Sequence, residues 1–202
     1  KSNVLRPTRA RGETTASASR FLDSFSTGRE IQSISLSANA GKLLAVDNFG
    51  VVDVMTRDVG AGTGFTSRAG GVSSVGASDV SGVGGWCGAV MDAEEKKMYV
   101  AKSSSQAVDV YDGDRRVRRI RTLLTPSDLS VAVGGKGESV FAVVEGHQLA
   151  VYDDRIAEKG GCTNRISLGY NKPLFAVSTS QSPGLEFLVA CGGAERVVHI
   201  LD

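Results

Sequence analysis

Met98 to Asp112 reads MYVAKSSSQAVDVYD, and the same two-strand unit is written at three other places in the chain. These are Leu43 to Met55 (LLAVDNFGVVDVM), Val140 to Asp153 (VFAVVEGHQLAVYD) and Phe187 to Asp202 (FLVACGGAERVVHILD). Each is an apolar run, a short polar or Gly-bearing turn, and a second apolar run. The units end at Thr56, Asp112, Asp153 and Asp202, giving intervals of 56, 41 and 49 residues. A loose repeat of about 40 to 50 residues built from strands alone predicts β-propeller blades. Stretches such as Val140-Phe141-Ala142-Val143-Val144 are apolar at every position, which suits strands covered on both sheet faces. A single blade cannot bury both its faces, whereas stacked neighbours can.

The bulk composition adds few constraints on function. The chain has 202 residues, a formal net charge of +1 and 41% hydrophobic residues, so the totals imply neither a polyanion nor a membrane surface as partner. Its 25 glycines, with many Val and Ser, suit short strands and tight turns. No apolar run reaches the roughly 18 residues of a membrane-spanning helix, and no apolar signal-peptide core opens the sequence. Cys87, Cys162 and Cys191 are an odd number at unrelated spacings. Reduced thiols and an intracellular, cytoplasmic setting are therefore expected, with the nucleus as the alternative. Lys stands at position 1, so a longer parent chain is expected.

Residues 1–28 read as a flexible basic arm, with Arg6, Arg9, Arg11 and Arg20 among Ser, Thr and Ala. Such a segment buries too little apolar surface to offset its ordering entropy. Residues 29–202 read as the repeat domain. Within it, residues 60–85 hold nine Gly in 26 positions and predict a long loop with a weak outer strand. No stretch sustains a 3.6-residue period, so helices should be scarce.

The runs Val110-Tyr111-Asp112, Val151-Tyr152-Asp153 and Ile200-Leu201-Asp202 resemble the strand-end Trp-Asp of WD-repeat β-propellers, with Tyr, Tyr and Leu in place of Trp. The resemblance spans residues 30 to 202. It implies an all-β propeller of WD-repeat type with about four blades present. The family's rings usually have more blades, so the chain would be part of a larger propeller, or another chain would complete the ring. The Gly-His that opens each repeat of the family is absent; Gly146-His147 lies in a turn. The family's hydrogen-bonded side-chain set is therefore not carried over. More locally, Phe21 to Met55 is similar to a stretch in the propeller of the non-catalytic subunit of a Rab GTPase-activating complex. The likeness rests on Asp-Ser, Ser-Leu-Ser and Leu-Ala-Val-Asp-Asn-Phe-Gly.

The sharpest charge anomaly is Arg115, Arg116, Arg118, Arg119 and Arg121, interrupted by Val117 and Ile120. Its position is that of a blade's outermost strand. Guanidinium groups there could hold an acidic protein surface or nucleic-acid phosphates. They could equally be a solvated edge whose charge blocks strand-to-strand aggregation. No aromatic is interleaved, so the stacking half of single-strand recognition is missing. His147 and His199 are the only histidines and converge with no ligand cluster, so no metal is expected. Cys87 and Cys191 read as small core residues, with Cys162 more exposed. Gly60 to Gly64 lacks the Lys-Ser/Thr of a phosphate loop. The acidic pairs Glu94/Glu95, Asp112/Asp114 and Asp153/Asp154 fall at strand ends, where Asp caps backbone groups.

The expected function is non-catalytic and cofactor-free: a rigid scaffold that binds other proteins within an intracellular complex, with no membrane insertion. Binding residues would come from blade turns: Asn48 and Phe49, Ser104 and Gln106, Glu145 and His147, Glu195 and Arg196. The arginine edge is the second candidate surface and the basic arm the third. Nucleic-acid association through that edge and arm is the first alternative. An enzyme built on a propeller is the second; it would need convergent carboxylates or histidines, which the sequence does not show.

Overall fold

The computed structural model describes residues 29–56, 72–76, 84–132, 139–168, 172–180, 185 and 188–202. The basic arm and most of the Gly-rich stretch, including Gly60 to Gly64, lie outside these. The described strands form four antiparallel meanders, each keeping the order of the chain. Sheet one is β1 (Ile31–Leu36), β2 (Lys42–Asp47), β3 (Val52–Thr56) and β4 (Val72–Val75). Sheet two is β5 (Cys87–Met91), β6 (Lys97–Lys102), β7 (Ala107–Asp112) and β8 (Arg115–Arg121). Sheet three is β9 (Pro126–Val131), β10 (Val140–Glu145), β11 (Gln148–Asp153) and β12 (Cys162–Ser167). Sheet four has three strands, β13 (Leu174–Thr179), β14 (Val189–Gly193) and β15 (Val198–Leu201). The fold is thus all-β, and its one described helical element is a 3-10 turn at Glu158–Gly161.

Local chemistry sets the hairpins. Gly113 and Gly146 take left-handed φ values of 56° and 60° as the first of two turn residues, which L side chains resist. The ladders then place Asp112 opposite Arg115 and Glu145 opposite Gln148. The β10–β11 turn is therefore two residues, not the four from Glu145 to Gln148 that the sequence suggests.

Three apolar cores lie between consecutive sheets. On β10, Phe141 and Val143 pack toward sheet two, while Ala142 and Val144 pack toward sheet four. This explains why the strand is apolar at every position. Between sheets two and three, Phe141 lies 4.8 Å from Tyr99 and 5.5 Å from Tyr152, centroid to centroid. The first strand of each sheet contacts the first strand of the next, so β1, β5, β9 and β13 line one side of the stack. The two end faces carry exposed apolar side chains. These are Ile34 (65%) and Leu36 (58%) on sheet one, and Val198 (70%) and Ile200 (72%) on sheet four.

Two strands depart from expectation. β12 has no counterpart in the sequence reading, because Cys162-Thr-Asn-Arg-Ile-Ser is mostly polar; pairing with β11 holds it in place. β9 starts at Pro126, earlier than the apolar run at Leu129, using the first-residue position that proline tolerates.

Candidate functional site

Antiparallel order alone sends four turns to the same end of the stack: Asn48–Val51, Ser103–Gln106, Gly146–His147 and Ala194–Val197. The links between sheets end there too, and backbone hydrogen bonds join turn to link. Gly85 N–H donates to the Asn48 carbonyl (2.8 Å) and Thr122 N–H to that of Gln106 (3.0 Å). Gly146 N–H donates to Thr125 (3.1 Å), and Leu174 N–H to Gly146 (2.7 Å). Ala194 N–H donates to Pro173 (2.9 Å). The predicted residues Asn48, Phe49, Ser104, Gln106, His147, Glu195 and Arg196 therefore share one surface, the turn face. Gln106 and Arg196 each donate a backbone N–H to the carbonyl three residues back, of Ser103 (3.3 Å) and Gly193 (3.1 Å), with φ of 46° and 60°.

Sequence reasoning missed the apolar part of this face. Like Phe49 (38%), Leu123 (58%) on a link and Val197 (49%) on a turn are exposed at this end of the stack. Within the four turns only Glu195 and Arg196 carry a formal charge. The opposite end differs, with Asp92, Glu94, Glu95, Lys96, Asp114, Asp154 and Arg155 in its turns.

Glu145 is placed otherwise than expected: it is 0% exposed. Its carboxylate accepts bonds from Tyr152 Oη (3.0 Å), Arg165 Nη2 (2.9 Å) and the Leu124 backbone N–H (2.9 Å), so it is not presented to a partner. Burial and the Glu145 carboxylate together push the Tyr152 hydroxyl pKa well above its usual value. The same strand-end position is charged in each of the first three sheets: Asp47 on β2, Lys102 on β6 and Glu145 on β10, all buried. Lys102 reaches Asp109 (3.2 Å), which Arg119 also grips through Nε (2.6 Å) and Nη2 (2.9 Å). Burial alone would raise the Asp109 pKa, but Arg119 and Lys102 hold it below the usual carboxylate value. Arg29 bridges Asp47 (2.6 Å) and Asp53 (3.0 Å). The sequence signal for this layer was a charged residue closing a mostly apolar second strand, repeated in three sheets.

The arginine run is β8, the outer strand of sheet two, and its members divide. Arg119 is consumed by Asp109. Arg118 donates to the backbone carbonyls of Asp154 and Ile156 in the neighbouring sheet. Arg116 comes within 3.9 Å of Asp109. Arg115 and Arg121 are exposed, and among the described residues neither side chain has an ion-paired or hydrogen-bonded partner. Fewer guanidinium groups thus remain for phosphates than the sequence count suggests.

Among the described residues, the candidate nucleophiles and metal ligands are placed as follows. Ser139 Oγ lies 3.0 Å from Lys97 Nζ, but that ammonium also binds Asp154 (2.8 Å). A salt-bridged ammonium donates to the hydroxyl and cannot accept its proton. Burial pushes the Cys87 thiol up to about 11 and also raises Cys191, so both are poor thiolates. Cys162, half-buried, donates weakly to the Asn164 carbonyl. His199 Nε2 is 3.9 Å from Glu195, and His147 Nε2 is 3.4 Å from the Gln148 amide. No group of three or more His, Cys, Asp or Glu able to hold a metal occurs among the described residues. Asp153 caps the turn after β11, accepting the Arg155 N–H (2.9 Å). No helix among the described residues is long and apolar enough to cross a membrane. Comparison with protein-family models and with curated proteins returns no match.

Proposed function

We propose that the chain is a non-catalytic interaction platform: a four-blade stretch of WD-type β-propeller that holds protein partners on its turn face within a multiprotein complex. One observation carries this reading. Side chains from four turns widely spaced in sequence share one end of a stack whose turns and links are joined by backbone hydrogen bonds. A surface ordered in advance spends little free energy on ordering when a partner docks. Its mix of apolar Phe49, Leu123 and Val197 with uncharged turn residues resembles the composition of protein interfaces.

The end faces support the larger ring. Ile34 and Leu36 at one end and Val198 and Ile200 at the other are the kind of side chain that the inner faces bury. Further sheets, in the same protein or another chain, would cover them. The likeness of Phe21 to Met55 to a Rab GTPase-activating complex subunit places a GTPase-regulating assembly among the complexes to look for.

The test is affinity purification of the native full-length protein at moderate salt, comparing wild type with Phe49→Ser/Leu123→Ser and with Glu94→Gln/Lys96→Gln at the opposite end. The expected result is a defined set of proteins at fixed stoichiometry that the first variant loses and the second keeps. An isolated wild-type protein, or loss only in the second variant, would sink the reading.

A further inference from the structure

We propose that the free edge of β8 is a second docking surface, which takes an extended acidic segment of a partner protein as an added strand. The proposal goes beyond the turn face and does not depend on it.

Among the described residues β8 ends its sheet, paired with β7 on one side and with no strand on the other. The β7–β8 register slips by one residue between Arg116 and Arg118, so the regular part of the edge is Arg118 to Arg121. There alternate backbone N–H and C=O groups point outward and are open to a further strand. The slip also sends Arg115 and Arg121 to opposite faces of the sheet. The edge is held firmly from within. Ile120 is 1% exposed in the core between sheets two and three. Arg119 is clamped on Asp109, and Arg118 ties the strand to the carbonyls of Asp154 and Ile156. A rigid edge loses little entropy when another strand joins it.

The charge on this edge decides what kind of strand fits. Arg115 and Arg121 stand at its two ends, exposed, and neither side chain has a partner among the described residues. Val117 between them is 52% exposed. The six ladder rungs from Arg115 to Arg121 span about 17 Å, or about six residues of an extended chain. A carboxylate near each end of that segment meets a guanidinium in charge-assisted contact, while the backbone between completes the ladder. Edge protection alone needs charge but no particular spacing. Nucleic acid would meet the same cations, but the side chains along β8 include no aromatic on which a base could stack.

The test uses the full-length protein and three fluorescent probes in anisotropy titrations at fixed moderate salt. The probes are the peptide Asp-Val-Thr-Val-Thr-Glu, whose two acids lie on opposite faces of the added strand, the same peptide with Asn and Gln replacing its acids, and single-stranded oligo-uridine. The acidic peptide is expected to bind, with affinity falling about tenfold or more for the neutral peptide and for Arg115→Gln/Arg121→Gln protein. N-methylation of alternate peptide backbone nitrogens should abolish binding, because it removes the ladder donors. Binding of both peptides alike, indifference to the two arginines or to N-methylation, or no binding would overturn the proposal. Oligo-uridine bound more tightly than the acidic peptide, with the same dependence on Arg115 and Arg121, would assign the edge to nucleic acid and overturn it equally.

Discussion

Buried Asp109 and half-buried Asp128 have carboxyl pKa values shifted in opposite directions, and the difference lies in what each accepts. Asp109 is gripped by Arg119 and Lys102, which hold its pKa below the ordinary value despite burial. Asp128, on the first strand of sheet three, is raised by burial, against which the Val177 and Leu129 backbone N–H groups pull only partly. A carboxylate with a lowered folded pKa contributes stability above its unfolded value, and that contribution is lost as pH falls through the folded pKa. For a raised one, the contribution is present below the unfolded value and is lost as pH rises through the folded pKa. Asp109→Asn should therefore cost about 3 kcal/mol above about pH 4, because Lys102 and Arg119 lose the carboxylate they both grip, and should cost progressively less as pH falls below about 4. Asp128→Asn should instead gain relative to wild type as pH rises above about 4. Melting curves of the three proteins from about pH 2 to 7 check both windows; variants running parallel to wild type throughout would refute the assignment.

At the scale of elements, turns were the most legible part of the sequence. Gly113-Asp114 and Gly146-His147 announce their hairpins because a left-handed residue is required at one place and glycine supplies it. Gly50 meets the same requirement under a second constraint. Its φ is 77°, and a Cβ there would run into the Lys102 stem that carries the ammonium to Asp109. Gly50→Ala is expected to cost about 1–2 kcal/mol from backbone strain alone, read as a shift in urea midpoint with unchanged slope. Lys102→Met should lessen that cost in the double variant, since a thioether stem can give way. Strands were legible where both faces are buried, as in Val140 to Val144. β12 was not, because Ile166 is its one large apolar residue and ladder pairing rather than patterning makes it a strand. The candidate surface divided in the same way. Turn residues could be placed on a shared end from strand order, but the enclosure of Glu145 depends on Arg165, thirteen residues beyond Tyr152 in sequence and opposite Ala150 in register. No local pattern announces such a partner.

For the whole molecule, stability resides between sheets. Phe141 touches both Tyr99 of sheet two and Tyr152 of its own sheet, and it is 0% exposed. Phe141→Ala should cost about 3–5 kcal/mol through lost burial and a cavity. Hydrogen exchange should show the amides of β6 and β10 losing protection together, with those of β2 less affected; uniform loss across all sheets would argue against separable layers. The fully enclosed carboxylates lead to one more consequence. Asp109 is neutralised by Lys102 and Arg119 of its own sheet, and Glu145 by Arg165 of its own sheet. A unit that balances these innermost charges internally can be duplicated, deleted or exchanged in a gene without stranding them; the pairs that break are those at the ends of the strands between sheets, such as Lys97 with Asp154. Arrays of this kind can therefore change length by recombination, and neighbouring copies can diverge as far as these four have.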